Sequence, residues 1–211
     1  MTRDVPSRIA RRAARAAVPI APDLALALGR YLDLLARWNR KINLTGLRLD
    51  PPTDEAVDRL IIEPIAAARH MRDGERLVID VGSGGGSPAL PLKLAAPALQ
   101  FVLVESKVRK AAFLREAVRH LGIGDVRVEN QRLEDLAAHA ELRAAADIVT
   151  LRAVRMDAGL LETIVGFLKP AGRVFAFVAG DWEQTLSGWI SEQQPLVPAL
   201  ESKLAVLSRR L

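Results

Sequence analysis

Positions 82–86 hold four glycines, Gly82, Gly84, Gly85 and Gly86, within the stretch DVGSGGGSP of residues 80–88. Glycine tolerates positive φ and has no Cβ, so such a loop lets main chain approach a ligand closely. It follows the apolar run RLVIDV and precedes ALPLKLAAP. In an open α/β sheet the ligand sits beyond the carboxyl ends of the strands, where this loop is expected. A dinucleotide fingerprint needs G-x-G-x-x-G; here Gly82, Gly84 and Gly86 make G-x-G-x-G, and the sixth position is Ser87. A phosphate-binding P-loop needs a Gly-Lys pair, which this loop lacks. Ser87 and Pro88 suit a helix cap and a first helical position. Asp80 puts a carboxylate at the end of the strand, where it opposes a pyrophosphate and favours an ammonium. S-adenosylmethionine (SAM) carries an α-ammonium and a sulfonium and no phosphate, so it suits this loop. Glu105 ends the run FVLVE twenty-three residues beyond Gly82, where an acid accepts from ribose hydroxyls. Dinucleotide sites use the same device, so Glu105 indicates adenosine rather than SAM alone. NQRLEDL, residues 130–136, is placed to border the adenine. Arg152, at the mouth of the site, is expected to pair with the cofactor carboxylate or to approach an acceptor phosphate; the alternative is an ion pair with Asp80 or Glu105.

The elements that must position these residues follow from periodicity. SRIARRAARAA reads as a short helix with Arg8, Arg11, Arg12 and Arg15 along one face. DLALALGRYLDLLARWNRKI is a longer amphipathic helix with Asp23 at its cap and Trp38 on its apolar stripe. DEAVDRLIIEPIAAARHM is a helix kinked at Pro64. Beyond residue 73, short apolar runs alternate with helical patterns: RLVIDV, FVLVE, VRVEN, ADIVTLRAV, RVFAFVAG and KLAVLS. The helix after FVLVE should stop at Gly122, and AGLLETIVGFLKPAG is a helix expected to stop at Pro170 and Gly172. The fold class is therefore α/β, a doubly wound, mostly parallel sheet of Rossmann type. The last strand is expected to be antiparallel, with DWEQTLSGWISEQQP supplying at most a short helix before it. Trp182 and Trp189 lie in this less patterned stretch. Residues 1–72 form the N-terminal helical basic part and 73–211 the SAM-binding domain.

Composition narrows the function. The chain of 211 residues has no cysteine and three scattered histidines. Disulfides, thiolate metal sites and a cysteine nucleophile are excluded, and a metal site is not expected. No apolar run reaches the ~18 residues of a membrane span and no secretory signal is visible, so a cytoplasmic chain is expected. Residues 1–48 hold ten Lys/Arg and three Asp, whereas the remainder holds twenty Lys/Arg and twenty-two Asp/Glu. All the excess positive charge sits in the first quarter. A basic patch on a near-neutral body suits a polyanionic partner, the other reading being a solvated helix face. The candidate RNA-binding residues are Arg8, Arg11, Arg12, Arg15, Arg40, Lys41 and Arg48, with Arg37 beside them. Aromatic residues are 4% of the chain, so base stacking on a sheet face is not expected.

Several segments together resemble a known family, the small-subunit ribosomal RNA (guanine-N7) methyltransferase G, also called glucose-inhibited division protein B. WNRKINLTG resembles its W-N-x-K-x-N-L-T signature, VIDVGSGGGSPALPLKLAAP its cofactor loop, VESKVRKAAFLREAVRHLGIGDVRV its second strand and next helix, and ADIVTLRAV its D-x-[IV]-x-[AS]-R-A segment. The resemblance covers nearly the whole chain. It implies a class I SAM-dependent methyltransferase sheet with an N-terminal helical part, and methyl transfer to N7 of a guanine in 16S rRNA, in the small ribosomal subunit. It also implies cofactor contacts at Gly82, Ser87, Leu133, Glu134 and Arg152. Ser87 stands where an apolar side chain is usual. The family's H-x-x-D-S reads Leu60, Ile61, Ile62, Glu63, Pro64 here; its Lys-Gly after the fifth strand reads Ala179-Gly180; and Ser202 and Lys203 replace an Arg and an aromatic or His before the last strand.

Guanine N7 has an exposed lone pair and needs no proton removed, so the absence of a cysteine or a poised histidine fits this reaction. Pyrimidine C5 methylation needs a Cys nucleophile. Adenine amino methylation usually comes with an Asp/Asn-Pro-Pro-aromatic tetrapeptide where this chain reads TLRAV. Other readings are a methyltransferase with a different acceptor, a non-catalytic SAM-binding protein and an NAD-dependent oxidoreductase. A monomer is the expected state.

Overall fold

A computed structural model of the chain describes residues 4–154, 156–180 and 186–210. Helices α1 (Asp4–Arg15) and α2 (Pro22–Asn39) come first. A helical stretch follows in pieces: α3 (Asp54–Val57), a π-turn over Asp58–Ile62, and α4 (Glu63–Ala67). Pro64 has no N–H to donate, and the helix accommodates it by widening into the π-turn rather than by a simple kink. Thr53 caps α3 by accepting from Ala56 N–H. Ala21 and not Asp23 is the cap of α2; Asp23 sits two residues on, in the first turn.

The alternating part runs β1 (Leu77–Val81), α5 (Ala89–Ala95), β2 (Gln100–Val104), α6 (Val108–Leu121), β3 (Val126–Glu129), α7 (Leu133–Leu136), β4 (Ala146–Arg152), α8 (Ala158–Val165), β5 (Leu168–Ala179), β6 (Trp189–Val197) and β7 (Ser202–Arg209). The sheet order is β3-β2-β1-β4-β5-β7-β6. β1 to β5 pair parallel, and β7 inserts antiparallel between β5 and β6. The expected α/β class and antiparallel last strand are both present. Gly122 ends α6 at φ 64°, as expected.

Two boundaries differ. α8 ends at Val165, and the stretch expected to finish it, Leu168–Gly172, begins β5. A Cβ on Gly172 would lie 2.9 Å from the carbonyl oxygen of Ala146, where the β4–β5 register shifts. The other is the stretch expected to supply at most a short helix before the last strand, the latter half of which falls in a further strand, β6. Trp189 opens this strand half-buried, and Trp182 lies outside the described residues.

Both faces of the sheet are apolar, as parallel sheets require. In β2, Phe101 and Leu103 face one core while Val102 and Val104 face the other. The first core also takes Val5 and Ile9 of α1, Leu28, Tyr31 and Leu35 of α2, and Ile61 and Ile62. The N-terminal helices thus share one core with α5, α6 and the sheet. The second core is closed by α7 and α8. Trp38, expected on the core stripe, is half-buried at its margin, edge-on to Phe113 with ring centroids 5.8 Å apart.

Candidate functional site

The carboxyl ends of β1 and β4 open into a cleft of about 580 Å³. The glycine loop forms one wall. Gly82 and Gly86 adopt φ of 70° and 84°, conformations that glycine enters without Cβ strain. Gly82 and Ser83 both donate N–H groups to Val104 O, at 2.9 and 3.0 Å, which ties the loop to the end of β2. Gly84 N–H donates to Glu105 Oε2 at 2.9 Å, and Lys107 N–H donates to Glu105 Oε1 at 2.8 Å. On the helical side, Tyr31 Oη donates to Gly85 O at 2.7 Å.

Asp80 lies behind this wall, 1% exposed. Thr150 Oγ1 donates to its Oδ1 at 2.5 Å, while Oδ2 has no partner. Burial pushes the Asp80 carboxyl up to about 6, against the hydrogen bonds that pull it down. Ser87 does not cap α5, which starts at Ala89; its Oγ donates to Leu60 O at 2.9 Å and joins the loop to the π-turn.

The opposite wall is made of side chains. Arg152, at the end of β4, pairs with Glu63 at 2.8 Å, donates to Arg59 O, and lies over the Phe177 ring with its carbon 4.5 Å from the centroid. The alternative reading of Arg152, a structural ion pair, is thus met by Glu63 and not by Asp80 or Glu105. Glu63 is buried, and burial pushes its carboxyl up while Arg152 opposes that shift. Burial lowers the Arg152 guanidinium, against the raising effect of Glu63. The buried Nε of Arg152 has no hydrogen-bond acceptor, while its Nη2 faces Glu63 Oε2 in the ion pair.

A third side comes from the segment after α2. Asn39 Oδ1 accepts from Leu44 and Thr45 N–H groups at 2.8 and 3.0 Å, and its Nδ2 donates to Thr45 O. The WNRKINLTG motif therefore folds residues 44–47 into the cleft wall. Asn39 was not singled out from the sequence, nor were Glu63, Phe177, Tyr31 or Lys110 as parts of a site; the asparagine inside the motif was the available signal.

Of the expected cofactor residues, Gly82, Gly84, Ser87 and Arg152 line the cleft. Asp80, Gly86 and Glu105 sit buried beside it and shape it from behind. Leu133 is buried in the second core and Glu134 is exposed, both at the start of α7 and outside the cleft lining. Leu60 and Ala179, where the resembling family carries His and Lys, both line the cleft.

The basic face of α1 divides in two. Arg8 and Arg12 turn toward α3 and the π-turn. Arg8 Nε donates to Asp54 Oδ1 at 2.8 Å, and Arg12 Nε donates to buried Asp58 Oδ1 at 2.8 Å. Arg8 and Arg12 hold Asp54 well below the usual carboxylate range. Arg11 makes a long 3.6 Å pair with Asp4, and Arg15 lines the same shallow depression. Arg40, Lys41 and Arg48 are exposed, Arg40 lying 3.6 Å from Asp50.

The donor set fits an amino-acid cofactor. It combines an orphaned buried carboxylate oxygen for an ammonium with a guanidinium whose Nε has no acceptor for a carboxylate, beside a cleft of small-molecule size. No helix among the described residues is long and apolar enough to cross a membrane, and no group of three or more candidate metal ligands occurs there.

Comparison with known proteins agrees with this geometry. A crystal structure of a SAM-dependent methyltransferase from Aquifex aeolicus matches with a TM-score of 0.56 at 13% identity, over 73% of this chain and 93% of that one. It supports the fold alone. The ribosomal RNA small subunit methyltransferase G of Xanthomonas axonopodis pv. citri is 39% identical over 185 residues, 85% of this chain and 83% of the relative. That of Stenotrophomonas maltophilia strain R551-3 is 38% identical over 206 residues, 93% of this chain and 92% of the relative. The family model described as rRNA small subunit methyltransferase G matches residues 25–187. With its glycine-loop wall, its Arg152–Glu63 wall and this extent of similarity, the chain belongs to the rRNA small subunit methyltransferase G family.

Proposed function

We propose that this protein transfers a methyl group from SAM to N7 of a guanine in 16S rRNA, acting in the cytoplasm on the small ribosomal subunit or its rRNA. The observation that carries the reading is the pairing of two walls around one cleft: a main-chain wall backed by Asp80 and Glu105, and a side-chain wall centred on the Arg152–Glu63 ion pair. When bound, SAM supplies an electrophilic methyl group on its sulfonium. Asp80 is assigned to its ammonium, Arg152 to its carboxylate and Glu105 to its ribose hydroxyls. The backbones of Gly82, Gly84 and Ser87 shape its seat, with Gly86 behind them, and Leu133 and Glu134 border its adenine.

The remaining chemistry is positioning. N7 attacks through an existing lone pair, so no side chain has to take a proton first. The enzyme must hold N7 in line with the methyl and exclude water, which is where most of the rate comes from. Leu44, Leu47, Leu60 and Phe177 supply the apolar lining for that exclusion. Residues 73–211 are assigned to holding the cofactor, and the helical part, residues 1–72, to RNA contact as well as to the cleft wall it supplies through Leu44, Leu47, Leu60 and Glu63.

The test is to map N7-methylguanosine in 16S rRNA from cells with and without the gene, and to follow label from methyl-labelled SAM into subunits from the deletion strain. Loss of one modified guanine in the deletion, restored by the purified protein, is expected. Unchanged 16S rRNA together with no transfer to subunits or rRNA overturns the reading.

A further inference from the structure

We propose that the seam between α2 and α6 is a second RNA subsite, holding the strand that flanks the target guanine; this rests on the methyl-transfer reading above. A groove of about 720 Å³ runs there, lined by Arg37, Trp38, Arg40, Lys41, Glu116 and His120. It is separate from the cleft, but the same two helices reach both. α6 presents Lys110 to the cleft and His120 to the groove, and α2 presents Leu35 to the cleft and Trp38 to the groove. Ten residues of helix separate Lys110 from His120, about 15 Å along the axis. A short run of single-stranded RNA spans that distance.

The charge of the groove is what singles it out. On α1, two of the four arginines of the basic face, Arg8 and Arg12, are consumed by Asp54 and Asp58. At the seam, the acid Glu116 is engaged by Arg119. Arg37 and Lys41 make no ion pair among the described residues and are exposed, and Arg40 keeps only its long contact with Asp50. These cations crowd the C-terminal end of α2, where helix carbonyls favour positive charge. Phosphates of an RNA strand are the complementary ligand, and such contacts set position without reading sequence. Trp38 adds an aromatic wall. One part of its ring meets Phe113, and it also lines the groove, where a base can stack on it.

The test compares two double variants that remove equal charge. Arg37→Ala with Lys41→Ala empties the groove of two cations. Arg72→Ala with Arg209→Ala, the control variant, removes two exposed cations outside the groove lining, one before β1 and one at the end of β7. Methyl transfer to small subunits lacking the modification is measured across a salt series, with SAM affinity and thermal unfolding as checks on folding.

For the groove variant, KM for the subunit should rise about tenfold, and the slope of log kcat/KM against log salt should become shallower by about two. SAM affinity should stay at the wild-type value, so the loss lies in RNA capture. The control variant should lose less than half as much. Wild-type KM and slope in the groove variant, or equal losses in both, overturn the proposal. Binding is also read directly with Trp182→Phe and Trp189→Phe, which leave Trp38 as the fluorophore. Quenching by 16S rRNA fragments is expected even if no methyl transfer is found, which separates this proposal from the reading of activity. Absence of quenching overturns it.

Discussion

The glycine-loop wall of the cleft is held by main-chain hydrogen bonds, from Gly82 and Ser83 to Val104 O and from Gly84 to Glu105. The facing wall is held by side chains from three separate segments: Glu63 on α4, Arg152 on β4 and Phe177 on β5. A main-chain wall depends on backbone conformation, so its weak points are glycines. A wall built on a buried ion pair depends on charge balance, so its weak points are the partners themselves. Removing one member of such a pair strands the other charge in a medium that solvates it poorly.

Glu63→Ala is therefore the harshest single change expected. It leaves the Arg152 guanidinium, 16% exposed, without its carboxylate. A loss of about 3–5 kcal/mol in denaturant unfolding is expected. Methyl transfer should fall about a hundredfold as Arg152 shifts. Glu63→Gln keeps the shape and removes the charge. If that variant unfolds like the wild type, packing rather than charge builds this wall and the contrast between the walls disappears.

Asp80 tests the loop wall by pH. Its carboxyl titrates at about 6 in the folded protein and at the ordinary 3.8 unfolded, because burial disfavours the charged form. The folded chain thus holds this proton more tightly. The cost of burying the charge is absent below about pH 4, grows as pH rises through 6, and is complete above it. At pH 7 it is on the order of 3 kcal/mol. Asp80→Asn removes the charge, so a gain of about 1–3 kcal/mol at pH 7 and a flatter stability profile between pH 4 and 7 are expected. SAM affinity, measured by calorimetry, should fall in the same variant. Unchanged affinity would place the ammonium elsewhere.

The different construction of the walls also explains what was legible in the sequence. Backbone conformation is encoded locally, so the loop could be read from Asp80 to Gly86, while Ser87, bonded to Leu60 O instead of capping α5, could not; the apolar runs of β1, β2 and β4 marked the sheet. Glu63 could not be read as the partner of Arg152, because the two meet only when α4 packs beside the end of β4. The periodicity of α1 put Arg8, Arg11, Arg12 and Arg15 on one face, but it carried no information on which acids that face would meet. β6 was obscured because it is an edge strand. Ser191, Glu192 and Gln193 are exposed and Pro195 interrupts its run, so no buried alternation marks it.

Within the loop, two glycines with positive φ separate conformation from crowding. A Cβ at Gly86 would lie 2.5 Å from Leu90 Cδ1, whereas one at Gly84 would meet nothing closer than 3.6 Å. Gly84→Ala should cost only the left-handed backbone strain, about 1 kcal/mol. Gly86→Ala should cost about 1–3 kcal/mol, because α5 must also shift at Leu90. Thermal unfolding of both variants checks the order. The reverse order would mean that the loop is shaped from the cleft side rather than from α5.

The smallest effect is expected at the contact joining the two constructions. Tyr31, fully buried on α2, donates its hydroxyl to Gly85 O, so a side chain from the helical part steadies a main-chain wall. Burial pushes the phenol far above its usual range, so it remains a donor throughout the working pH range. Tyr31→Phe keeps the ring in the core and deletes one neutral hydrogen bond. A cost of about 1 kcal/mol is expected, a fall of about 2–4 °C in Tm. Gly85 also lines the cleft, where water can take over its carbonyl, so the stability loss should lie at the low end of that range. The effect on SAM affinity should be the clearer one, because a hydrated Gly85 carbonyl leaves the loop free to adjust and binding must then order it. If Tyr31→Phe weakens unfolding and leaves SAM affinity untouched, the loop is rigid by its own hydrogen bonds. The main-chain wall would then stand without help from the helices.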